Sequence, residues 1–513
     1  MSDLNVGKPR FDLADPQLFG AEAAEAEANK DVFNSYFYET GAYADFVDMS
    51  RPFQIANAYK GEGKSSFLRA LEEKVRTEKL GYVARFSSAD LEVADQGANS
   101  DAWMRAWRRS LAEAAAIELG KTIKVAWSED DIRAVEEAER LGQRERNWIG
   151  LILDRFVLKL KGANAELSLK SSSEGLSTAT VERLLEKKTF WLLVDESDVN
   201  FINSEAGRAK VAGLLTACRK MCQTTPSLRV RSTLRPTTWS ALYANIEDMT
   251  HIRDSLVSLE WQTQDIRNIL SKRIESYLIR TNQIGFSRRN NGPRLREEEI
   301  INLLFPGPWK WAKHTDFDDG FRPSFVTLSN LCRDRPRWLI ELCKEAALRA
   351  RKRESEVIDK DDVVRSLSDF GRRRLLDIEG EFKAESAQIG TIINGFRGQN
   401  ESYKTDELLK LIKNRVTNLA DVRISYENGR CSPIQVGHFL FKIGFLTARK
   451  DTDQGTYRHF SYAERPDLLR DPANLDQGCS WEVHPIYRQT LEMRDESGLQ
   501  MVRERNATGK ESR

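Results

Sequence analysis

The run Ala58-Tyr59-Lys60-Gly61-Glu62-Gly63-Lys64-Ser65 narrows what this chain can fold into more than any other segment. Ahead of it, Phe53-Gln54-Ile55-Ala56-Asn57 reads as a short buried strand. Behind it, Phe67, Leu68, Leu71 and Val75 recur at helical spacing, which predicts a helix over residues 64–80. A glycine-rich turn between a strand and a helix brings backbone N–H groups and a helix N-terminus together on a phosphate chain. Gly61 and Gly63 let the backbone approach without a Cβ. Lys64 can reach the β and γ phosphates, Ser65 can ligate Mg²⁺, and Ser66 joins the nucleotide-binding set at the next position. Ala58 stands where the usual first glycine would be, so the turn into the loop differs from the common pattern.

A phosphate-binding loop needs a carboxylate for the magnesium shell and a base to orient water. Phe190-Trp191-Leu192-Leu193-Val194 is an apolar run ending in Asp195-Glu196. There Asp195 would hold Mg²⁺ through water and Glu196 would polarise the attacking water. Thr233, or its neighbour Ser232, closes another strand pattern at Leu228 to Leu234 and could reach the γ phosphate. Expected strands at 53–57, 81–86, 189–194 and 228–234 alternate with helical segments, including 209–221, which predicts a parallel α/β sheet. The expected plan is an acidic lead-in over 1–52 and a P-loop NTPase core over 53–260 with a helical insertion at 101–160. A helical lid over 261–376, a winged helix over 377–470 and a tail over 471–513 follow. The lead-in carries a helix pattern from Ala21 to Phe33. Arg337, at a helix start in Arg335-Pro336-Arg337-Trp338, could contact phosphates from the lid. Helix patterns at 387–396, 405–416 and 433–443, followed by a hairpin pattern around Asp453-Gln454-Gly455, give the winged-helix expectation.

With 513 residues, several units each able to bury a core are expected. The net charge of +1 excludes a uniformly basic nucleic-acid binder, although charge is uneven along the chain. The first fifty residues hold ten acids against three bases, whereas residues 403–450 hold nine bases against four acids. Lys410, Lys413, Arg415, Arg423 and Lys442 are the candidate contacts to an anionic partner. The 433–443 helix offers only Gln435, His438 and Lys442 as polar readers, a thin set for recognising bases. Six cysteines without a framework fit free thiols in a reducing compartment. Cys218 and Cys222, four apart, could share a metal, but packing thiols are the simpler reading. With no signal-peptide pattern and no run of about eighteen apolar residues, a soluble, cytoplasmic protein without membrane contact is expected.

Together these residues resemble the P-loop ATPases of the AAA+/STAND assemblage found in prokaryotic conflict and phage-defence loci. The likeness runs through the loop, Val194-Asp195-Glu196-Ser197-Asp198, Leu234-Arg235-Pro236, Leu259-Glu260-Trp261 and Arg335-Pro336-Arg337-Trp338-Leu339-Ile340. It continues in Arg465-Pro466-Asp467-Leu468-Leu469 and Trp481-Glu482-Val483-His484-Pro485. The resemblance implies ATP and Mg²⁺ as cofactors and an ATP-driven switch coupled to a winged helix. It also implies a homo-oligomer and a partner effector encoded nearby. It puts Lys64 and Ser65 on nucleotide and magnesium, Asp195 and Glu196 in hydrolysis, and Arg337 in the role of lid sensor. No nuclease, protease or deaminase signature is present. The alternative, from another class, is a DNA-binding adaptor resembling replication-initiator or transposition-regulator ATPases, in which nucleotide is structural.

Overall fold

The computed structural model describes residues 9–123, 189–283, 295–310, 320–333, 335–451, 457–462, 464–470 and 475–494. The chain forms two compact units, one of residues 23–25 and 39–260, the other of residues 9–22, 26–38 and 261–494. Most of the expected helical insertion, residues 124–160, lies outside the described residues, as does the hairpin turn at 453–455.

In the first unit the order is α1 (Gly41–Val47), β1 (Phe53–Asn57), α2 (Lys64–Thr77), β2 (Tyr82–Ser87), α3 (Ser100–Ile123) and β3 (Phe190–Asp195). Then come α4 (Glu205–Thr224), β4 (Leu228–Leu234), α5 (Pro236–Asn245) and β5 (Leu256–Ser258). Among the described residues the strands form one parallel sheet in the order β2-β3-β4-β1-β5. The fold is α/β, and its β3 is buried at every position, as a strand covered on both faces must be. On one face α4 packs Leu214, Leu215, Cys218 and Met221 into a cluster with Trp103, Trp107 and Leu111 of α3. Gly213 permits this approach, because a Cβ there would stand 2.5 Å from the Cβ of Trp103. Cys218 and Cys222 are buried in the same cluster, and burial pushes the Cys222 thiol up to about 12. On β4, beside β1, the fully buried Arg231 donates to the carbonyls of Phe46 (2.5 Å), Asp48 (2.7 Å) and Arg51 (3.0 Å), fixing the segment that leads into β1.

The helix expected from Ala21 to Phe33 does not form as one piece. A 3₁₀ turn covers Ala24–Ala26 and a helix runs over Lys30–Tyr36. Asn29 sets that later start by accepting from the N–H groups of Asp31 (2.9 Å) and Val32 (3.3 Å) as a side-chain N-cap.

The second unit holds α6 (Thr263–Arg280), α7 (Glu297–Leu304), the short pair β6 (Trp309–Lys310) and β7 (Phe321–Arg322), α8 (Ser324–Cys332), α9 (Pro336–Lys352) and α10 (Lys360–Phe382). Helices α9 and α10 are stitched by buried pairs, Arg335 with Glu381 (3.3 Å) and Arg374 with Glu341 (2.5 Å). The Trp338 ring is approached by the guanidinium groups of Arg335 (4.7 Å) and Arg374 (5.0 Å). There follow α11 (Ile389–Asn394), β8 (Ser402–Tyr403), α12 (Thr405–Ile412), a π-helical turn at Lys413–Thr417 and α13 (Pro433–Lys442). The chain then continues through β9 (Leu446–Asp451), β10 (Tyr457–Phe460), β11 (Ser480–Val483) and α14 (Pro485–Arg488). Helix α13 begins with a capping box between Ser432 and Gln435 and with proline at its first position. Three helices followed by a hairpin make a winged helix, and its sheet has the order β10-β9-β11-β8. Strand β11 comes from the stretch expected to be tail; Trp481 and Val483 are buried as it pairs with both β9 and β8. Among the described residues, no helix is long and apolar enough to cross a membrane.

Candidate nucleotide-binding site

Strand β1 delivers the chain into the loop. Ala58 is buried and donates its N–H to the carbonyl of Leu234 at the end of β4 (3.2 Å), so alanine is tolerated where the turn needs only a small residue. Gly61 and Gly63 take φ of +84° and +96°, a left-handed conformation that side chains resist. Gly63 is the N-cap of α2 and has no side chain to cap the helix, so the N–H groups of the first turn, where Ser65 and Ser66 lie, open onto the loop. A phosphate is the group that such an N-terminus takes. Lys64 donates from Nζ to the carbonyls of Ala58 (2.5 Å) and Tyr59 (2.9 Å), which arches it over the loop, and Glu62 Oε2 accepts from the N–H of Tyr59 (2.7 Å).

The strand register then lines up chemistry along the carboxyl edge of the sheet. Ser87 of β2 pairs with Asp195 of β3, Val194 with Ser232 of β4, and Ala56 of β1 with Thr233. Asp195 is buried, and its Oδ1 accepts from the hydroxyl of Thr233 (2.8 Å) and the N–H of Glu196 (2.9 Å). Its Oδ2 accepts from Arg85 (3.3 Å). Glu196 turns left-handed at φ +52°; its carboxylate accepts from Ser87 Oγ (2.7 Å) and its carbonyl from Ser88 Oγ (2.6 Å). This edge, outside the carboxyl ends of parallel strands, is where open α/β sheets bind ligands.

Thr233 thus sits among the expected residues, with its hydroxyl spent on Asp195 and on the N–H of Glu196 (2.9 Å). Ser232 shares a hydrogen bond with Ser197 (2.6 Å). Asp198 is architectural: it accepts from the N–H of Arg235 (3.0 Å) and the hydroxyl of Thr238 (2.7 Å), holding the start of α5. Arg337 lies in the other unit, on α9, where its Nε donates to Glu341 (2.9 Å). Sequence reasoning missed Arg85 and Ser87, whose relevance depends on β2 lying beside β3.

The residues present would fit a magnesium-bound nucleotide: an uncapped helix start, a lysine over the loop, the Ser65 hydroxyl on the first turn, and a buried carboxylate at a strand end.

The winged helix presents a different picture. The polar residues of α13 are engaged inward: Gln435 donates to Glu427 (2.5 Å), Lys442 to Glu385 (3.2 Å), and the buried His438 stacks edge-on against Tyr462 (5.5 Å). Arg423 pairs with Asp421 (2.9 Å), whereas Lys410, Lys413 and Arg415 are exposed on α12 and the π-helical turn. Lys442 and the intended readers are therefore framework, and the exposed bases lie outside the helix expected to read a duplex.

No family model matches the chain, and no curated protein matches it. Among solved structures it aligns with Cdc6p from Pyrobaculum aerophilum at a TM-score of 0.34 and 10% identity, covering 94% of this chain and 99% of that one. The ORC2 protein of Aeropyrum pernix in ADPNP-ADP complexes aligns at 0.36 and 10%, covering 93% and 98%. The ORC1 protein of Aeropyrum pernix in complex with DNA aligns at 0.33 and 12%, covering 88% and 91%. At such scores the site is judged by its own geometry.

Proposed function

We propose that this chain is an ATP-binding switch of AAA+ type that hydrolyses ATP slowly and serves as a DNA-binding adaptor. The observation that carries the reading is the row Ser87, Asp195 and Thr233 along the carboxyl edge, on the same edge as an uncapped, glycine-shaped loop and helix start. On loading, Lys64 exchanges the carbonyls of Ala58 and Tyr59 for phosphate oxygens, and the first-turn N–H groups of α2 take the rest. Ser65 and Asp195 would hold magnesium, which supplies neutralisation of charge on the β and γ phosphates when bound. Glu196 orients the attacking water, with Ser87 steadying its carboxylate.

The defence setting, with its separate effector, rests on the resemblance alone. The adaptor reading has support in the exposed Lys410, Lys413 and Arg415, which suit contacts to a phosphate backbone. Binding of ATP to the full chain, and its turnover with and without duplex DNA, test the proposal. Saturable, magnesium-dependent ATP binding is expected, with slow turnover that changes when duplex is added. A chain that binds neither ATP nor GTP would sink the reading.

A further inference from the structure

Asp195 has two carboxylate oxygens, and the fold uses them differently. Oδ1 is committed to Thr233 and to the N–H of Glu196. Oδ2 has Arg85 as its partner, at 3.3 Å. It is thus the oxygen left to serve a metal shell, and a cation of the chain already holds it. The guanidinium of Arg85 is itself shared, lying 3.5 Å from Glu25 and 3.8 Å from Glu72 as well. Arg76 holds the other oxygen of Glu72 (2.9 Å), so two cations stand among three carboxylates, an excess of one negative charge beside the place where a divalent ion is required. Glu72 belongs to α2, the helix that begins at the loop. Glu25 belongs to the short segment 23–25, which Arg69 of α2 also grips through the carbonyl of Ala24.

Resting on the nucleotide reading above, we propose that Arg85 is the resident counter-cation of Asp195, a positioning residue that yields Oδ2 to magnesium by moving onto Glu72 and Glu25. Like charges a few ångströms apart at the low effective dielectric of a half-buried site repel strongly, so a divalent ion and Arg85 compete for the same oxygen. The two glutamates already in reach make the move short. Loading with magnesium therefore tightens the grip on the 23–25 segment, and loading without it does not.

The test is calorimetric titration of ADP into the full chain, once with chelator and once with magnesium, the ratio of the two affinities being the readout. Arg85→Ala should raise that ratio about tenfold, since a competing charge is gone. Arg85→Lys should hold the ratio near the wild-type value. The double variant Glu25→Gln with Glu72→Gln should lower it, because Arg85 loses the acceptors that let it leave Asp195; this arm decides the matter even where Arg85→Ala fails to fold. A ratio unchanged in all the variants overturns the proposal. Wild-type chain that binds no ADP under either condition overturns the nucleotide reading itself, a distinguishable failure.

Discussion

The carboxyl edge of the parallel sheet and the α13 helix of the winged helix both looked like functional surfaces from sequence, and they differ in what their polar groups do. Along the sheet edge, Ser87, Asp195, Glu196 and Thr233 bond to one another and converge on the edge that carries the loop. On α13, Gln435, His438 and Lys442 turn inward to hold neighbouring segments, and Val436 to Phe441 are buried. A loop motif constrains geometry because the turn, the lysine and the helix start must coincide. A tally of charges along a helix constrains nothing about which face they take.

That contrast can be broken at either end. The largest effect is expected from Glu196→Gln, which keeps the shape and removes the water-orienting charge: turnover should fall by about 10²–10⁴ while ATP affinity holds. Unchanged turnover would move the base elsewhere. Next is Lys64→Ala, which forfeits a charge-assisted bond to phosphate and should weaken ATP binding by roughly a hundredfold with the fold intact, as circular dichroism and calorimetry would show. In the other unit, Lys442→Ala strands Glu385, whose carboxyl burial already holds above its ordinary range despite the lysine. A loss of about 2 kcal/mol in denaturant stability is expected, with nucleotide and duplex affinity unaltered. Should duplex affinity fall while stability stays, Lys442 is a DNA-binding residue and the contrast dissolves. The smallest effect concerns Lys410 and Lys413. Changing both to glutamate should reduce the slope of log affinity for duplex DNA against log salt by about 0.9 for each phosphate that is no longer neutralised. An unaltered slope would leave the winged helix as a protein-docking module.

Much of the first unit was legible because buried parallel strands read as continuous apolar runs: Phe53–Asn57 and Leu228–Leu234 fall where they were expected, and the other two shift by a residue. Strand neighbours were not legible. Ser87 and Glu196 are 109 residues apart, and nothing local to either shows that β2 lies against β3. Three-residue β5 was missed because so short a run carries no periodicity of its own; it forms by pairing with β1. For Arg337 the partner was legible: Glu341 stands four residues on, one helical turn away, and takes the guanidinium that the phosphate reading had assigned elsewhere. Strand β11 escaped notice because its partners, β8 and β9, lie well upstream.

That last strand has a kinetic consequence. Since β11 slots between β9 and β8 in the finished sheet, the hairpin of β9 and β10 cannot complete the module when it emerges from a ribosome, and Tyr403 waits for Trp481. Closing so long a loop costs entropy that must be spent before the pairing rewards it. The winged helix is therefore assembled late, after translation has passed Val483, by a strand arriving between two that are already waiting.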